Sequence, residues 1–224
     1  MSPLRIMVFY DGGHVRCGQA PSRGGGTGRL DLAALQTSFG RWVADKTGSP
    51  PEVTMVVGGH YYDGRASTRV ADNEHLENER NFELALKRAG IEPHYSPLRE
   101  QWNGCAANGE PEYEVSQKGV DTALIVDALD MAYLDRFDVC VLLSGDGDFV
   151  PLVRRLTQLG KYVLIAHFET RGGNGVKRAR QHGTNVSRAL VRAATWSLNL
   201  SHLAGDARWH AVLKSRRHPR KGAA

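Results

Sequence analysis

The stretch VCVLLSGDGDFVPLV, residues 139–153, joins an apolar run to a polar turn and then resumes apolar spacing. Val139 to Leu143 has the continuity of a strand buried on both faces. Ser144-Gly145-Asp146-Gly147-Asp148 ends it, and residues 149–159 read as a helix. Glycine and aspartate are the ordinary residues of a tight turn. They are also what a chain needs to set two carboxylates at the mouth of a buried strand. The stretch alone leaves both readings open.

Outward from it, strands and helices alternate. LRIMVFY (4–10) reads as a buried strand, and the helix after it carries Leu32, Leu35, Phe39, Trp42 and Val43 on one face, closed by Gly48. EVTMVVGG is a second strand. A charged helix over 68–90 ends at Gly90. IEPHYSPL is a third strand, at an edge because it carries Pro93 and Pro97. Residues 99–117 form an extended excursion with Asn-Gly turns at 103–104 and 108–109. Helix 119–134, strand 137–143, helix 149–159, strand 161–168 and a short helix near 186–195 complete the series.

Alternation of this kind predicts an α/β fold, a mainly parallel sheet with helices on both faces. One domain is expected over 1–195. A basic extension follows over 196–224, with its last eleven residues, KSRRHPRKGAA, disordered.

Charge is unevenly divided. Residues 1–170 hold 17 Lys and Arg against 23 Asp and Glu, a net of −6, whereas residues 171–224 hold 12 against one, a net of +11. An acidic body with a basic segment suggests a polyanionic partner, most simply nucleic acid. A solubilising tail is the plainer alternative. Cys17, Cys105 and Cys140 have no metal-type spacing, so reduced thiols in a cytoplasmic protein are expected. MSPLRIMVFYDGG turns polar at Asp11, so no signal peptide is expected. No apolar run reaches the ~20 residues of a membrane span.

In open parallel sheets, function gathers at the carboxyl ends of the strands. Asp11 ends the first strand. Asp146 and Asp148 follow the strand that ends at Leu143. Two strands thus deliver carboxylates to one rim. Helix 119–134 adds Asp121. On a wheel of ~100° per residue, Leu124, Ile125, Ala128 and Ala132 lie within about 60° of it, so it points with the apolar stripe. It could instead be an N-terminal cap. Asp127 lies at the stripe's edge, a supporting position. Carboxylates gathered this way repel one another unless cations lie among them, and hard oxygen donors select Mg²⁺ or Mn²⁺. Metal-assisted hydrolysis of a phosphodiester is the chemistry that follows.

KGVDTALIVDAL (118–129), followed by FDVCVLLSGDGDFVPLVRRLTQLGKYVLIAHFE (137–169), resembles the NYN domain in its LabA-like branch, within the PIN-like nuclease superfamily. The strand ending in Asp11-Gly12 matches that family's first acidic position. The resemblance implies a Rossmann-like, three-layer α/β/α sandwich with five strands in the order 3-2-1-4-5, and Mg²⁺- or Mn²⁺-dependent ribonuclease activity. It carries a catalytic and metal role onto Asp11, Asp121, Asp146 and Asp148, a supporting role onto Ser144, and a phosphate contact onto Lys118. The family's usual DGxN is here DGGH, so His14 stands where Asn is usual. Histidine can hydrogen-bond water or phosphate and adds a pH-dependent charge. A homodimer is an arrangement this sort of fold allows.

Other residues on the rim suit RNA as the partner. Arg16, Arg23 and Arg29 lie in a Gly-rich loop after Asp11 and could contact phosphate. Tyr61 and Tyr62 follow the second strand and could stack on bases, with one of the two in the core. Arg171, Lys177, Arg178, Arg180 and His182 suit an RNA-guiding loop. His60 and His167 fit structural histidines, and Trp196 and Trp209 fit packing residues. A haloacid-dehalogenase phosphatase would need a second aspartate at position 13, which is glycine. A calcium loop would need a terminal glutamate that the DGDF run lacks. An RNA-binding or adaptor protein without catalysis is the remaining rival.

Overall fold

The computed structural model describes residues 2–18, 30–67, 73–105, 111–168 and 186–205, with Trp209 and Val212. The apolar run of Leu4–Asp11 forms β1 at the centre of the sheet. Gly12–Gly18 is α1, Leu32–Thr47 is α2, Thr54–Arg65 is β2, Asn73–Arg88 is α3 and Ile91–Pro97 is β3. Arg99–Cys105 and Pro111–Ser116 are β4 and β5. Val120–Tyr133 is α4, Val139–Leu143 is β6, Val150–Gln158 is α5, Tyr162–His167 is β7, Arg188–Ala193 is α6 and Trp196–Asn199 is β8.

The main sheet has six strands in the order β3-β2-β1-β6-β7-β8, and every pairing in it is parallel. The expected count of five and order 3-2-1-4-5 are not matched. The excursion after β3 is itself an antiparallel hairpin, β4-β5, which shifts the numbering of later strands. Beyond it, four residues at Trp196–Asn199 add a sixth strand against β7. β3 is at the edge, where its two prolines cost no ladder bond.

Helices cover both faces. On one, Leu35, Phe39 and Val43 of α2 and Leu86 of α3 pack on Ile6, Val8, Val141 and Leu164. On the other, Leu124 and Ala128 of α4, Leu152 and Leu156 of α5, and Leu190 of α6 pack on Met7, Phe9, Cys140 and Ile165. α2 begins where Asp31 accepts the Ala34 N–H at 3.0 Å and stops at Gly48, whose φ of 67° suits glycine. The sheet and core run on past residue 195, where the sequence reading set its division. β8 lies beyond it, Trp209 and Val212 join the first core, and Trp196 stacks on Tyr162. No helix among the described residues is long and apolar enough to cross a membrane.

Candidate functional site

β1 and β6 lie side by side with Tyr10 opposite Leu143, so the residues that follow them meet at one rim. Asp11 closes β1. Ser144 follows β6, fully buried, and its hydroxyl donates to Asp11 Oδ2 at 2.8 Å. The same Oγ accepts the Asp146 N–H at 3.1 Å. Asp146 in turn caps the single 3₁₀ turn Gly147–Phe149, its Oδ1 accepting the Asp148 N–H at 2.9 Å. One hydroxyl therefore ties the ends of two strands, and the GDGD run is both a turn and a display of carboxylates. Gly145 leaves room for His14, since a Cβ there would lie 3.0 Å from His14 Cε1 and crowd the ring.

Asp121 stands in the first turn of α4, after Gly119 with φ 87°. The face of α4 turned into the core is Val120, Leu124, Ala128 and Ala132, while Asp121 itself is exposed. Its expected inward direction is thus corrected: the first turn reaches the sheet rim, and the side chain stands there rather than in the core. Partial withdrawal from water and the charges of Asp11, Asp146 and Asp148 raise its pKa above the usual carboxylate value. Asp121 is therefore within electrostatic reach of the other three predicted cage residues.

His14 is buried. Its backbone N–H donates to Asp11 Oδ1 at 3.2 Å, and its ring Nε2 accepts the Phe168 N–H at 3.0 Å. That bond fixes the neutral tautomer with the proton on Nδ1. Burial pushes the imidazole pKa down to about 4, assisted by His167 and opposed by Asp11 and Asp146. His14 is thus a neutral packing group that holds the end of β7 and orients Asp11 through its backbone.

The other predicted residues divide. Lys118 is exposed just before α4. Arg16 pairs through Nη1 with Asp63 Oδ2, on the rim beside Asp11. Tyr61 and Tyr62 are each 1% exposed, so neither presents a ring face to a base, which corrects the stacking role expected for Tyr62. Both belong to β2, which runs on to Arg65 rather than ending at Gly59. Tyr62 stacks on His94 with ring centroids 4.5 Å apart, and its hydroxyl donates to Asp127 Oδ2 at 2.9 Å. Asp127 therefore serves a neighbouring cluster. Arg23, Arg29, Arg171, Lys177, Arg178, Arg180 and His182 lie outside the described residues.

Sequence reasoning missed Asp63. It lies two residues before the end of β2, is buried, and accepts from Tyr61 Oη at 2.9 Å and the Gly64 N–H at 2.7 Å. Its signal was present: Tyr62-Asp63-Gly64 repeats the Tyr10-Asp11-Gly12 that ends β1. A Cβ on Gly12 would lie 2.6 Å from Asp63 Cγ, so glycine lets the two strand ends approach.

The sequence matches the NYN domain family over residues 5–195. No curated protein matches the chain. Among solved structures it is similar to a protein of unknown function from Vibrio parahaemolyticus. That structure is 22% identical with a TM-score of 0.52, and the match covers 88% of this chain and 93% of that one. It is a likeness of fold. A chain provisionally assigned as a 2-keto-3-deoxygluconate kinase from Enterococcus faecalis is 12% identical with a TM-score of 0.35, over 87% of this chain and 57% of that one.

Proposed function

Because the chain belongs to the NYN domain family, we propose that it is a cytoplasmic, metal-dependent ribonuclease of the LabA-like, PIN-like kind. The observation that carries this reading is the gathering of carboxylates at one rim. Partial burial first, and then the charges of Asp11, Asp146 and Asp148, raise the Asp121 pKa. A divalent cation removes that repulsion, and an all-oxygen donor set suits Mg²⁺ or Mn²⁺.

Asp11, Asp121, Asp146 and Asp148 are the residues that would hold the ion. Bound there, it supplies the charge that lowers the pKa of a water and stabilises negative charge at the scissile phosphate. Ser144 and the His14 backbone each hold one oxygen of Asp11. The cage is thereby oriented before substrate arrives, which is where such sites gain their rate. Arg16 is about half exposed beside the cage, and Lys118 stands at the start of α4. Both are suited to contact RNA phosphates. The basic segment from Arg171 onward, with Lys177 and Arg178, adds sequence-independent attraction to the RNA backbone.

The test is incubation of labelled single-stranded and hairpin RNAs with the full chain in Mg²⁺, in Mn²⁺ and in EDTA. Cleavage in either ion, abolished by EDTA, is the expected result. Retained RNA binding without cleavage in any condition would overturn the hydrolase reading in favour of an RNA-binding protein on the same scaffold.

A further inference from the structure

β2 and β3 run parallel with His60 opposite Glu92 and Tyr62 opposite His94. Alternation along a strand sends residues 60 and 62, and residues 92 and 94, to the same face of the sheet. That face looks toward α4, and an open cavity of about 550 Å³ lies there, lined by His60, Glu92 and Asp127 among others. One ligand atom from each of His60, Glu92 and His94 lies within 4.8 Å of the others. His60 Nδ1 is 3.0 Å from His94 Nε2 and 3.7 Å from Glu92 Oε2.

We propose that His60, Glu92 and His94 form a binding site for a zinc-class divalent transition metal, distinct from the aspartate cage. Around a tetrahedral zinc with Zn–N of about 2.0–2.1 Å, neighbouring ligand atoms lie about 3.3 Å apart. The two spacings from His60 Nδ1 bracket that value, and the third, between His94 and Glu92, is within 4.8 Å. Two imidazoles with one carboxylate suit zinc-class ions, whereas Mg²⁺ favours oxygen donors. Three protein ligands leave a fourth position, and Glu92, with 68% of its side chain exposed, opens it to solvent.

The surroundings resemble those that support metal-bound histidines. His94 has its other nitrogen, Nδ1, 3.9 Å from Asp127 Oδ2, a charge contact too long for a hydrogen bond that shortens to one if the ring turns to present Nε2 to a metal. Tyr62 fixes both partners at once, stacking on the His94 ring and donating to Asp127. Asp127, Asp130 and Arg136 also line the cavity. Without an ion, a hydrogen bond between the two rings accounts for the 3.0 Å contact. Asp127 lies on the helix that also carries Asp121. A bound ion therefore ties the β2–β3 edge, through His94, to the helix that presents a cage residue.

The test is calorimetric titration of the metal-free full chain with Zn²⁺ in excess Mg²⁺, which occupies the aspartate cage. One equivalent is expected to bind, with affinity lowered at least 100-fold in His60→Gln/His94→Gln and at least tenfold in Glu92→Gln. Glu92 is exposed enough that its variant keeps the fold, which thermal melting in EDTA checks. Binding in Asp146→Asn is expected to equal wild type. Loss of Zn²⁺ binding in Asp146→Asn with retention in the histidine and Glu92 variants would place the ion in the cage and overturn the proposal. So would an absence of Zn²⁺ binding to the wild type. Neither result bears on RNA cleavage, which tests the cage separately.

Discussion

Replacing Ser144 by alanine tests whether the strand ends form one site. The hydroxyl is fully buried, donates to the Asp11 carboxylate at 2.8 Å, and accepts the Asp146 N–H at 3.1 Å. A hydrogen bond to a charged group contributes about 1.5–3 kcal/mol, and a neutral one about 0.5–1.5 kcal/mol. Asp146 is exposed, so its N–H recovers a water, and the second loss falls at the low end. The metal-free protein should therefore lose about 2–3 kcal/mol in urea unfolding with EDTA. The Asp11 carboxylate also loses the donor that orients it, and the backbone that presents Asp146 loses its anchor. Removing such outer partners costs about 10–100-fold in metal affinity. A Mn²⁺ titration should show that weakening, with a matching fall in cleavage at limiting metal. If Ser144→Ala were destabilised yet bound Mn²⁺ and cut RNA as wild type does, the hydroxyl would only pack the end of β6. The account of a joined site would then fail.

Three further predictions concern the same rim. The folded pKa of His14, about 4, lies below its ordinary value, so its contribution is complete above about pH 6.5 and is lost as pH falls toward 4. The limit is about 3 kcal/mol, and in EDTA the acid limb of the stability curve should be shallower in His14→Asn; an unchanged limb would contradict the buried neutral ring. The folded Asp121 pKa is raised, so its ionisation opposes folding at neutral pH without metal. Asp121→Asn should therefore melt higher than wild type in EDTA and lose the Mg²⁺-induced shift, whereas lower melting in EDTA would show a structural carboxylate. In Gly12→Ala the new Cβ would meet Asp63 Cγ at 2.6 Å and the Tyr62 carbonyl oxygen at 2.7 Å. Backbone must move, at a cost of about 1–3 kcal/mol, and wild-type stability in urea would refute that close approach.

Much of this architecture is legible in the chain because the central strands are continuous apolar runs. Val139 to Leu143 is buried throughout, and its end at Ser144 marks the rim without reference to anything else. Asp11, Asp146 and Asp148 were legible for the same reason, since a carboxylate after a buried strand has one place to go. β2 was cut short because GGHYYDGR looks like a loop. Its polar side chains are buried by contacts with other segments, Tyr62 against His94 and Asp63 against Arg16, which local pattern does not record. β8 has four residues and borrows its stability from β7. The His60, Glu92 and His94 cluster needed the register of two strands, which no single segment contains. Asp121 was placed correctly on its helix but turned too far inward, because a helical wheel ignores where the sheet rim lies.

The most direct measurement compares wild type with Asp146→Asn on labelled single-stranded and hairpin RNAs in Mg²⁺ and Mn²⁺, with RNA binding and melting temperature in EDTA measured alongside. The substitution removes a charge from the cage with almost no change in volume. The account predicts cleavage by wild type and a loss of at least 100-fold in the variant, with RNA binding and metal-free melting retained. Equal cleavage by both proteins would show that the glycine-spaced carboxylates after β6 do not carry the chemistry.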